Sequence, residues 1–63
     1  MPMNVWRGSH RMKEYELWRK VDLRWCIVDS YYTEAEALEA ARFFDIPWQV
    51  RMFSGRILVQ RLS

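Results

Sequence analysis

Cysteine and histidine each occur once in this chain of 63 residues. With Cys26 alone, no internal disulfide can close and no cysteine cluster can hold zinc. With His10 alone, in what reads as a tail, no histidine-based acid–base pair or metal cluster can assemble within one chain. Gly8 and Gly55 are the sole glycines, which excludes a glycine-rich phosphate loop. No stretch approaches the ~18 consecutive apolar residues of a membrane span. The N-terminus lacks the apolar segment of a signal peptide, so a cytoplasmic protein is expected. Nothing remains from which to build a catalytic signature, and the expectation is a protein that is not an enzyme, takes no cofactor and has no small-molecule substrate.

Aromatic residues, by contrast, are plentiful. They make up 16% of the chain, with four tryptophans, three tyrosines and three phenylalanines. A domain this small buries only roughly 60% of the surface its unfolded chain exposes, so it is marginal alone and usually gains stability from a staple or a partner. With disulfides and metals excluded, oligomerisation or partner binding is the supplement to look for.

Net charge is +2, too little to name a nucleic-acid partner, but it is unevenly spread. Residues 29–45 hold one basic and five acidic side chains, whereas residues 46–63 hold three basic and no acidic ones. The most periodic stretch, Thr33 to Phe44, is the acidic one. Thr33 and Glu36 form a Thr-x-x-Glu capping box, in which each side chain accepts from the other residue's otherwise unpaired N–H. Ala37, Ala40, Ala41 and Phe44 share one side of this helix with Leu38 at its margin. That side is nearly all alanine, so the helix can lie close against its support.

Residues 1–12 have no period and read as a flexible N-terminal arm, with Val5 and Trp6 as its apolar side chains. Gly8-Ser9-His10 also matches the scar of an affinity tag, and Met12 could serve as an alternative start. Residues 13–63 form the single domain. Lys13 to Val21 and Arg24 to Tyr31 are rich in aromatic and β-branched residues and flank Asp22, the pattern of a β-hairpin. Neither Asn-Gly nor Asp-Gly is present, which leaves turn type and register open. Ile46-Pro47 stops the helix, and Trp48 to Phe53 with Arg56 to Leu62 read as a second hairpin around Ser54-Gly55.

The resulting fold class is α+β, ββαββ, with one helix packed on one face of a four-stranded, mainly antiparallel sheet. Alternation, taken with two-residue loops, predicts a core of Tyr15, Leu17, Cys26, Val28, Ala37, Leu38, Ala41, Phe44, Trp48, Val50, Met52, Ile57 and Val59. In it Cys26 is an inert buried thiol. Glu14, Glu16, Glu36 and Glu39 read as solvated charges.

One helix covers one side of such a sheet, and the other side should then be polar. Instead it is expected to carry Trp18, Trp25, Ile27, Phe53 and Leu58, interleaved with Lys20, Arg51 and Arg56. Exposed apolar patches of this kind mark contact surfaces, and Trp, Phe and Arg are favoured at binding hot spots. Three uses are open: binding a protein target, self-association as a homodimer, or binding RNA or single-stranded DNA by stacking and phosphate contacts.

The run Tyr32 to Ala41, after a Trp25-x-x-Val28 strand and ahead of a short hairpin, resembles a loose class of small bacterial and phage proteins of strand–strand–helix–strand–strand plan. Glu36-Ala37-Leu38 and the segment Phe43 to Pro47 are similar to the helix and strand entry of phage-encoded inhibitors of bacterial RNA polymerase. The resemblance spans about half the chain, and the first hairpin departs from it. It implies a protein that binds and occludes a larger host nucleic-acid machine, a polymerase or a CRISPR effector.

Overall fold

The computed structural model describes residues 11–63; Val5, Trp6 and the rest of the expected arm up to position 10 lie outside the described residues. Thr33 stands in extended backbone and its Oγ1 accepts from the N–H of Glu36 at 3.1 Å, while the Glu36 carboxylate accepts from the N–H of Thr33 at 3.1 Å. The capping box is complete. Helix α1 runs from Glu34 to Ala41 and is shorter than expected. Its end tightens into i+3 turns, with Phe43 N–H reaching Ala40 O at 3.5 Å and Phe44 N–H reaching Ala41 O at 3.0 Å. No glycine is present there to supply a left-handed cap.

Four strands surround it in sequence: β1 (Tyr15–Val21), β2 (Arg24–Tyr31), β3 (Trp48–Met52) and β4 (Ile57–Arg61). They form one sheet in the order β2-β1-β3-β4 with every neighbouring pair antiparallel. The α+β, ββαββ architecture is therefore as expected. Because β2 and β3 both run against β1, they run parallel to each other, and the chain joining them has to cross β1. Helix α1 makes that crossing. It packs on β1, β2 and β3, which puts Leu17, mid-strand on β1, beneath the helix at 0% exposure. Ala37, Ala41 and Val50 complete the buried cluster, with Tyr15, Tyr31, Leu38, Phe44, Trp48, Leu58 and Val59 packed around it. Burial, and secondarily the charge of Asp29, pushes the Tyr31 phenol above its ordinary pKa.

Both hairpins depart from ideal register, the first at one residue and the second at two. Asp22 (φ 52°) and Leu23 (φ 68°) are both left-handed, the pair of conformations a type I′ turn requires. From there Lys20 faces Trp25, Arg19 faces Cys26 and Trp18 faces Ile27, until a bulge shifts the ladder so that Leu17 faces Asp29. Val28 is the extra residue and is exposed, not in the core as expected. Cys26 does lie on the helix side by register, yet it too is exposed. The chain crosses through α1 from the end of β2 at Tyr31 to the start of β3 at Trp48, which leaves Cys26, nearer the loop end of β2, uncovered.

In the second hairpin Gly55 N–H donates to Met52 O at 2.8 Å and Met52 N–H to Arg56 O at 2.8 Å, with Gly55 at φ 101°. The loop thus has three residues, Phe53 to Gly55, where two were expected, and a left-handed glycine closes it as a bulge. Arg51 consequently faces Ile57, so Ile57 leaves the expected core for the opposite side. A second bulge at Leu58 restores the ladder, and Val50 faces Val59 as expected.

Leucine is a poor occupant of a left-handed turn position, and Leu23 is 88% exposed with no packing to offset the strain. Leu23→Gly is expected to raise stability by about 0.5–1 kcal/mol, read as a higher urea midpoint at unchanged slope.

Candidate functional site

Strand alternation and the ladders together define the sheet face that α1 does not touch. β1 contributes Glu16, Trp18 and Lys20; β2 contributes Trp25, Ile27 and Ser30; β3 contributes Gln49 and Arg51; β4 contributes Ile57 and Gln60. Trp18, Lys20, Trp25, Ile27 and Arg51 are thereby brought together as expected. Phe53 starts the loop with its N–H on Glu14 O at 2.8 Å, at the rim of the same face, and is exposed.

Two expected members fall elsewhere. Leu58 is the bulged residue of β4 and packs against the core, and Arg56 closes the loop opposite Met52, on the helix side by alternation. The three-residue loop is the physical reason for both: it moves every residue from Arg56 to Leu58 by one position. Ile57, 46% exposed, takes the place that had been given to Leu58. Gln49 and Gln60 were not singled out in the sequence, and only their pairing across β3 and β4 could have revealed them.

The polar side chains of this face are wired to one another. Trp18 Nε1 donates to Glu16 Oε1 at 3.0 Å. Gln49, buried, donates from Nε2 to Gln60 Oε1 at 2.8 Å and accepts at Oε1 from Arg51 Nε at 2.8 Å. The Arg51 guanidinium lies 4.2 Å from the centre of the Trp18 ring and 5.8 Å from that of Trp25, and Lys20 Nζ lies 5.9 Å from Trp25. Cation–π attraction of this kind contributes about 0.5–1 kcal/mol at an exposed site. The result is a surface whose aromatic and cationic groups are held in place before anything binds. Ile27, half exposed, and Ile57 flank it.

The helix side carries a different feature, an open groove of about 550 Å³ bordered by Leu38, Arg42, Trp48 and Arg61. Helix α1 reaches β3 but not β4, which leaves this gap. Trp48 Nε1 is buried without an acceptor among the described residues, a cost of about 1–3 kcal/mol. Among the described residues no three His, Cys, Asp or Glu side chains converge as a metal site, and no helix is long and apolar enough to cross a membrane.

Compared with known proteins, the chain matches no family model, no curated protein and no solved structure.

Proposed function

We propose that this domain is a non-enzymatic protein-binding module that acts by occluding a larger partner through its open sheet face. The observation that carries the reading is the contrast between the two sides of one sheet. One side is covered by α1, while the other presents Trp18, Trp25, Ile27 and Ile57 around a fixed Arg51, with no described element over it. Aromatic and arginine side chains amid aliphatic ones have the composition of an interface hot spot. A single-stranded nucleic acid is the weaker reading. Arg51 already lies over Trp18, where a base would stack, and the aliphatic Ile27 and Ile57 offer no stacking surface. The resemblance of Glu36 to Leu38 and of Phe43 to Pro47 to phage inhibitors points to a host nucleic-acid machine as the target class.

The test is capture from a bacterial lysate, followed by remixing of the purified partner with defined variants. Trp18→Ala/Trp25→Ala is expected to weaken that complex at least about tenfold with the circular dichroism spectrum preserved. Phe43→Ala, at an exposed aromatic just past the helix, is expected to leave it intact. The reverse pattern would place the contact on the helix side. Sedimentation over a dilution series reports whether the partner is a second copy.

A further inference from the structure

We infer that the partner presents a carboxylate to Arg51: the open face takes an acidic side chain set between apolar ones. This rests on the reading of that face as a protein contact and adds its chemistry.

Arg51 stands directly across from Glu16 in the β1–β3 ladder, where opposite charges ordinarily pair. They do not. The Glu16 carboxylate accepts from the Trp18 indole at 3.0 Å, and the sole ion pair among the described residues is Arg42–Glu39 on the helix surface. Arg51 therefore keeps its charge without a carboxylate among the described residues. It is also immobilised: Nε is held by the buried Gln49, Gln49 by Gln60, and the guanidinium lies over Trp18. Its terminal amino groups make no hydrogen bond to a described residue.

A planar guanidinium with both terminal amino groups free matches a carboxylate in a forked geometry, and little rotamer freedom is left to lose when it binds one. The setting favours a peptide over a phosphate backbone. Lys20 is the other cation that the four strands place on this face, and Glu16 offsets one of the two, so there is no track of positive charge for successive phosphates. Ile27 and Ile57 instead offer apolar surface on either side, and the indoles around Arg51 lower the local dielectric, which strengthens a charge pair.

A random-peptide library displayed on phage, selected on the full chain, tests this. The winners are then titrated as synthetic peptides while the Trp18 and Trp25 indole and Arg51 Nε signals are followed by NMR. The expected result is enrichment of Asp or Glu flanked by apolar residues, movement of those signals, and at least about tenfold weaker binding to both Arg51→Gln and Arg51→Lys. Peptides that move the indole signals without acidic enrichment, or that bind Arg51→Lys as well as wild type, overturn the carboxylate and leave the contact face standing. Winners that leave the indole signals unmoved, or no winners at all, overturn both. Saturable binding of labelled oligothymidylate that is lost in Arg51→Gln, with no acidic peptide selected, would assign the arginine to phosphate instead.

Discussion

Leu17→Ala is expected to remove about 3–4 kcal/mol of folding stability, the middle of the range for such truncations. The position in that range follows from the neighbours. Leu17 is fully buried beneath the crossing helix and faces Val50, with Ala37 and Ala41 in the same cluster. A cavity costs least where long side chains can swing into it. Alanine methyls cannot swing and Val50 is fixed in a strand, whereas Leu38 and Phe44, packed at the edge of the cluster, can close part of the space left by the leucine. A single core of this size rarely supplies more than about 3–5 kcal/mol in total, so the variant should be substantially unfolded at 37 °C. Urea denaturation followed by tryptophan fluorescence reads the loss. A change below about 1 kcal/mol would show that the helix settles onto the sheet without the leucine, and that the packing is looser than the buried cluster implies.

How far this architecture is legible in the sequence depends on how local each determinant is. The capping box of Thr33 and Glu36, the alanine side of α1 and the order of the five elements all rest on neighbours in the chain, and they stand as expected. The strand order was not legible, since it follows from a crossing whose partner strand no local signal names. Each bulge turns on one residue that propensity does not mark, yet such a residue reverses every side chain beyond it. Val28 and Leu58 are those residues. In the second hairpin two errors of one residue cancel, so Val50 still meets Val59 while Ile57 and Leu58 exchange sides. Cys26 shows a different failure: alternation assigned its side, but coverage depends on the path of α1, which crosses from β2 toward Trp48 and leaves Cys26 bare. The open face survived these slips because Trp18, Lys20, Trp25 and Ile27 lie on the loop side of the first bulge, where the register is ideal.

The closeness of helix and sheet makes the second prediction a matter of position on α1. Ala37→Leu is expected to cost about 2–3 kcal/mol and Ala35→Leu within about 0.5 kcal/mol of nothing. Leucine and alanine are both good helix formers, so intrinsic propensity separates the two variants little. Ala37 is 0% exposed against the sheet, and the added carbons can enter only by lifting the helix. Lifting it uncovers Leu17 and Val50 together, and an eight-residue helix has too little stability of its own to remain formed without that contact. Ala35 is exposed beside the open groove, where a larger side chain has solvent to occupy. For a domain of this size about 1 kcal/mol moves the melting temperature by roughly 4–8 °C. Thermal unfolding should therefore separate the two variants by about 10 °C or more. Equal melting temperatures would mean that α1 sits far enough from β1 and β3 to admit a leucine, and the explanation of why this helix is lined with alanine would fail.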